Sequence, residues 1–209
     1  MKLYYSPGAC SLSPHIVVRE LDLPIELVRV DLKRHMFDSG KDFYRVNAHG
    51  YVPVLELDDG TRLSEGPAIV QYLADRKPEL GLAPPNGSLA RYELQQMLNF
   101  LTAEVHKGFH GVFYASVAGK YAELAKQKLD QRFAWIDGQL AFHPYLSGET
   151  FTISDAYLYA LVGWASAPWI NTYVNSGFQF GNLAHLKAWY ERVSDRPAVR
   201  QALIAEGLQ

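Results

Sequence analysis

The thirteen residues RKPELGLAPPNGS, Arg76–Ser88, most constrain what this chain can fold into. Their three prolines and two glycines interrupt every periodic pattern. Before them, strand-like and helix-like stretches alternate. After them, the sequence reads as helix alone. At 209 residues the chain is long enough to bury two cores. We therefore read a mixed α/β domain over residues 1–80, a linker over 81–88 and an all-helical domain over 89–209.

The first domain opens with a strand, Lys2-Leu3-Tyr4-Tyr5, stopped by Ser6-Pro7-Gly8. Ser13-Pro14 reads as N-cap and first helical residue, because proline there loses no needed N–H. A helix then runs His15 to Leu21, and Ile25–Leu32 is a second strand. Strand, helix and strand in about thirty residues form a βαβ unit with parallel strands. His35–Asn47 is polar and irregular, with a short helix around Lys41–Val46. Val54–Leu57 and Thr61–Leu63 flank the hairpin signal Asp58-Asp59-Gly60. Ser64-Glu65-Gly66-Pro67 opens a helix over Ala68–Asp75.

Past the break, Leu94, Met97, Leu98, Leu101, Val105 and Phe109 line one helical face. Tyr121, Leu124, Leu129, Phe133, Ile136 and Leu140 do so less strictly. Thr152-Ile153-Ser154-Asp155 is a capping box with aspartate as the reciprocating acid. The helix it starts is apolar nearly all round, which predicts a central buried position. Its segment Ala156–Ile170 is short for a membrane span and holds Gly163 and Pro168. Leu183–Val193 and Ala198–Glu206 complete the helices.

Composition removes several function classes. A net charge of -2 leaves no basic footprint for nucleic acid, and no run of lysines or arginines marks a membrane surface. The N-terminus lacks the pattern of a secretory signal. One cysteine, Cys10, forms no internal disulfide, which suits a reducing cytoplasm.

Cys10 sits between a strand and a helix start. Unpaired N–H groups and the helix dipole there favour thiolate over thiol. The competing reading is a small buried residue. Cys10-Ser11-Leu12-Ser13 is a C-x-x-S arrangement, so any redox cycle requires an external thiol. Val52-Pro53 precedes a central strand. A cis bond there would turn the Val52 backbone outward toward a peptide ligand, whereas a trans bond would make a plain strand entry. At Ser64-Glu65-Gly66, the Gly66 N–H suits a carboxylate and Glu65 suits an amine, the two groups of an amino-acid end. The alternative is an ordinary helix start. Asn99, Ala103, His106 and His110 recur at steps of four, three and four opposite the apolar face. That stripe fits a ligand-facing wall between domains or a solvated face. His106 and His110 have metal-ligand spacing, but no third ligand stands near them, and no metal is expected.

Taken together, SPGACSLSPH, GYVPVL, LSEGPAIVQYLAD, LNFLTAEVHKGF and TISDAYL resemble the bacterial beta-class glutathione transferases, and the likeness covers essentially the whole chain. The resemblance implies a thioredoxin-like α/β N-terminal domain plus an all-α C-terminal domain, the cytosolic glutathione transferase architecture, in a cytoplasmic homodimer. It also implies joining the thiolate of glutathione, a co-substrate rather than a cofactor, to small hydrophobic electrophiles in detoxification. By the same resemblance, Cys10 lies beside the glutathione sulfur and His106 near it. Val52 pairs with the cysteinyl backbone, with Pro53 in cis, and Glu65 and Gly66 hold the γ-glutamyl end. Asn99, Ala103, Glu104 and Val105 complete the glutathione-binding set, Glu104 from across the dimer.

One departure concerns binding. Where the family often carries a Lys-Lys pair, this chain has His35-Met36, so His35 replaces a fixed charge toward the glycine carboxylate. Tyr5 needs no role beyond the strand. The electrophile is expected between the domains, near Tyr114, Trp164 and Trp169. Two alternatives use the same fold: Cys10-dependent glutaredoxin-like thiol exchange or peroxide reduction, and a non-catalytic ligand-binding protein.

Overall fold

Leu3 and Tyr4 belong to the central strand of a five-stranded sheet. The computed structural model describes residues 1–37, 39–166 and 181–209. Strand β1 (Lys2–Tyr5) pairs in parallel with β2 (Glu26–Asp31), Leu3 opposite Leu27. On its other side β1 pairs antiparallel with β4 (Val54–Glu56), which forms a hairpin with β5 (Arg62–Ser64). The crossover between β1 and β2 is helix α1 (Leu12–Glu20), as the βαβ pattern required. Alternation sorts the sheet into two faces. Leu55 joins the main core, while its neighbour Val54 joins a smaller cluster with Tyr4, Val30, Phe43 and Val52.

Strand β3 (Met36–Phe37) completes the order β3-β2-β1-β4-β5 and falls in the stretch the sequence reads as irregular. Two residues are too few for periodicity to register. Asp31 sets the turn before it by accepting from the N–H groups of Lys33 and Arg34 at 2.8 and 3.2 Å. The short helix expected over Lys41–Val46 is a 3-10 turn, Phe43–Arg45, capped by Asp42. Helix α2 (Gly66–Ala74) ends the strand-bearing half, and residues 75–88 carry only a 3-10 turn, Pro78–Leu80.

Helix α1 begins earlier than Ser13-Pro14 suggests. Leu12 is its first residue and Ser11 its N-cap, because the preceding turn already winds helically through Leu12 N–H to Ala9 and Ser13 N–H to Cys10. Ser13 is buried, and its hydroxyl has no hydrogen-bond partner.

The helical half runs α3 (Leu89–Phe100), a π-helical segment Leu101–His106, α4 (Phe109–Phe113), α5 (Ala115–Ala118), α6 (Lys120–Leu140), α7 (Ile153–Ser166), α8 (Ala184–Ser194) and α9 (Pro197–Glu206). Leu94, Leu98, Leu101, Val105 and Phe109 are buried as their spacing predicts. On α6, Leu129, Phe133, Ile136 and Leu140 are buried, but Tyr121 and Leu124 face out. The capping box is present: Asp155 accepts from the Thr152 N–H at 2.9 Å, and also from Leu146 N–H and Trp189 Nε1. Helix α7 is buried through the residues whose side chains are described, and its segment beyond 166 lies outside the described residues.

The halves share one core. Helix α1 packs on α2 on one side and on α7 and α9 on the other. Two bidentate pairs fasten the junction: Arg91 holds Asp75 at 2.9 Å through two nitrogens, and Arg196 holds Glu20 at 2.6 and 2.8 Å. Among the described residues, no helix is long and apolar enough to cross a membrane.

Candidate active site

The loop from Ser6 to Ser11 is shaped by its own hydroxyls and clamped from outside. Ser11 Oγ accepts from the Ser6 N–H and donates to its carbonyl, both at 3.2 Å. Gly8, at φ +70°, adopts a left-handed conformation that suits glycine. Its N–H donates to Glu206 Oε2 at 2.9 Å, and its carbonyl accepts from Trp164 Nε1 at 2.8 Å. Both clamps come from the helical half. The other Glu206 oxygen meets His15 Nδ1 at 2.8 Å, with both side chains fully buried. Arg19 Nε donates to His15 Nε2, so the proton on Nδ1 is the one that Glu206 receives.

This loop leaves Cys10 partly exposed. Its Sγ donates to the Val52 carbonyl at 3.3 Å. The thiol keeps some exposure, but the protein packed around it pushes its pKa up to about 12. The N–H groups of Cys10 and Ser11 pull the other way, as Lys107 does, and Glu65 adds to the rise; burial outweighs them. The thiolate expected from a helix N-terminus is therefore corrected. Cys10 stands before the N-cap rather than on the first turn, and the resting group is a thiol.

Val52-Pro53 is cis. Beyond it, Glu65 is the N-cap of α2, exposed and at φ +68°, a conformation uncommon for a residue with a side chain. Its carbonyl takes the N–H groups of Ala68 and Ile69, leaving the carboxylate free of any cap hydrogen bond. Gly66 follows as the first helical residue, before a proline that has no N–H.

The opposite wall is built by α3, the π segment and α7. Asn99, Ala103 and Glu104 are exposed. Glu104 pairs with Arg132 of the same chain at 2.8 Å. Val105 is fully buried in the core, which leaves only its backbone to a ligand. His106 does not lie flat on the exposed stripe. The wider i→i+5 turn, seen in Lys107 N–H to Thr102, accompanies its approach to α7. There its Nδ1 lies 2.7 Å from the Tyr157 hydroxyl, and its ring meets Trp164 edge-on at 4.8 Å. Burial, helped by the Lys107 charge, lowers its pKa to about 4, so the ring is neutral near pH 7. His110 instead packs on Tyr114 at 4.8 Å.

His35 stands at the rim at φ +54°, its ring tilted against Tyr44. Its Nδ1 lies 3.1 Å from the Gly50 carbonyl. A carbonyl only accepts, so Nδ1 carries the proton in this contact. A Cβ at residue 50 would come within 2.8 Å of the imidazole, which makes glycine there a condition for this placement.

Family models describe both halves: "Glutathione S-transferase, N-terminal domain" matches residues 8–76, and "Glutathione S-transferase, C-terminal domain" matches residues 88–192. The glutathione S-transferase GstA of Escherichia coli O157:H7 is 40% identical over 209 residues, covering all of both chains. The chain belongs to the glutathione S-transferase family. A beta-class glutathione S-transferase of Sphingomonas chungbukensis is 38% identical, with a TM-score of 0.90 over all of both chains. A sphingomonad glutathione S-transferase solved with glutathione is 41% identical, with the same TM-score and full coverage of both. The resemblance read in the motifs, including its beta class, is borne out.

As a glutathione S-transferase, the chain has functional candidates that sequence reasoning missed. Tyr157, Glu206 and the donor role of Trp164 were not visible. Tyr157 and Trp164 are seven residues apart, two turns on one face of α7, but the all-round apolar character of that helix hid the face. Trp164, expected near the electrophile, is buried among Phe109, Phe113 and His106. Tyr114 is exposed, and Trp169 lies outside the described residues.

Proposed function

We propose that this transferase conjugates the glutathione thiolate to small hydrophobic electrophiles, with detoxification as its use. The observation that carries the reading is the contact of Cys10 Sγ with the Val52 carbonyl at 3.3 Å, which sets the thiol against the segment that would pair with a peptide ligand. A thiol with its pKa near 12 is a poor nucleophile at neutral pH and keeps its S–H, a weak hydrogen-bond donor. When the glutathione backbone takes over the Val52 carbonyl, the freed S–H turns to the bound thiolate and lowers that group's pKa. The reacting sulfur then belongs to the tripeptide, and binding supplies proximity to the electrophile.

In this reading Val52 pairs with the cysteinyl backbone, Glu65 takes the γ-glutamyl amine, and the Gly66 N–H takes its carboxylate. His35 serves the glycine carboxylate in the place where the family often carries a lysine. His106 serves the sulfur, with Asn99, Ala103 and the Val105 backbone along the wall. Residues 1–80 form the glutathione-binding domain, 81–88 the linker and 89–209 the domain bearing the electrophile site and the homodimer contacts. Arg132 holds Glu104 through Oε2, which leaves Oε1 to reach the partner's site. The single cysteine suits a cytoplasmic protein.

The test compares wild type, Cys10→Ala and His106→Ala in two reactions: conjugation of a chlorodinitrobenzene, and glutathione-dependent reduction of a mixed disulfide. Conjugation in wild type, weakened in His106→Ala, is the expected result. Robust disulfide reduction that needs Cys10, with no conjugation, would overturn the reading.

A further inference from the structure

Tyr157 is 2% exposed, and burial holds its hydroxyl well above the usual phenol range. Its nearness to Cys10 and to the Glu65 carboxylate raises it further. Its hydroxyl has two polar neighbours. One is His106 Nδ1, at 2.7 Å. The other is Thr102, whose own proton goes to the Leu98 carbonyl at 2.8 Å and which can therefore only accept. The single phenolic proton must choose. An imidazole lone pair is a far stronger acceptor than an alcohol oxygen, and 2.7 Å is short for an N–H donor but ordinary for an O–H donor. The proton belongs on the His106 side.

The far side of the ring is open. His106 Nε2 has no partner among the described residues, and the sealed, unpartnered side-chain atoms are only Ser13 Oγ and Arg91 Nε. Among the described residues, Nε2 is therefore not sealed in the core.

We propose that Tyr157 is a positioning residue: its hydroxyl donates to Nδ1 of His106 and fixes the neutral ring as the Nε2–H tautomer, a hydrogen-bond donor aimed at the glutathione sulfur. The donor role rests on the glutathione reading above; the tautomer does not. A donor stabilises thiolate, whereas the opposite tautomer would present a lone pair to the same sulfur and repel it. Tyr157 thus decides the sign of the contact without touching substrate.

Long-range 1H–15N NMR spectra of the ligand-free protein at pH 7 read the tautomer, with His106→Gln identifying the signal. The expected result is the Nε2–H pattern in wild type, retained in Thr102→Val and lost or mixed in Tyr157→Phe. An Nδ1–H pattern in wild type overturns the proposal, as does a tautomer switch in Thr102→Val, which would mean that the phenol had been donating to Thr102. On the functional side, Tyr157→Phe should lower kcat/KM for conjugation about tenfold through kcat, with an unchanged circular dichroism spectrum. A loss within twofold overturns the positioning role. If glutathione fails to perturb the His106 signal while the tautomer is as stated, the proposed function fails and the assignment stands.

Discussion

The Cys10 loop has a closed side and an open side, and they are held by different means. On the closed side, side chains from distant parts of the chain make the contacts: His15 with Glu206, Trp164 with the Gly8 carbonyl, His106 with Tyr157. On the open side, partly or fully exposed residues lean on backbone: His35 on the Gly50 carbonyl, Glu65 on its own helix start. A buried pair loses heavily when one partner goes, because the other is stranded without water. An exposed residue loses little stability, since solvent takes over. Stability should therefore reside on the closed side and ligand affinity on the open one.

The comparison can be broken most sharply at Glu206. Glu206→Ala strands His15 and the Gly8 N–H together and should cost about 3 kcal/mol or more in urea unfolding. A loss under about 1 kcal/mol would mean that the clamp is not what holds the loop.

The pH dependence of stability comes next. His106 titrates near 4 when folded and near 6.5 when unfolded, so between those values the unfolded chain binds more protons. Stability from this group is full above pH 6.5 and falls as pH drops toward 4. Between pH 7 and 4.5, wild type should lose about 2–3 kcal/mol more than His106→Gln. Equal losses would place His106 with the open side.

Cys10 lies on the border. At pH 8 its alkylation by iodoacetamide should run at least about a hundredfold slower than that of free cysteine and rise with pH to beyond 10. Fast alkylation at pH 8 would make it an open-side thiolate after all.

The smallest effect tests the rim. His35→Lys should tighten glutathione about fivefold at pH 8 by calorimetry, with stability within about 0.5 kcal/mol of wild type. Unchanged affinity would remove His35 from the binding set.

The open side was largely legible in the sequence and the closed side was not. Gly, Pro and Cys mark backbone geometry locally, so Cys10, Val52-Pro53 and Glu65-Gly66 could be picked out by their immediate neighbours. The parallel β1–β2 pair and the β4–β5 hairpin followed from the same local signals; β3 did not, because two residues carry no period. The closed side depends on pairs such as Gly8 with Glu206, 198 positions apart, and no local rule links them. The stripe holding His106 was legible, but its inward turn accompanies the π segment, which no spacing of apolar residues foretold. The helix-dipole argument failed at Cys10 for a related reason: it counts the nearest helix and not the protein packed around the thiol.

The Gly8–Glu206 bond also bears on the order in which the molecule becomes competent. During synthesis the loop that carries Cys10 is made before the carboxylate that clamps it, which arrives 198 positions after Gly8. The strands beside the loop can pair long before that. The thiol therefore spends the interval of translation without its clamp, open to oxidants and alkylating agents that the finished protein would turn away.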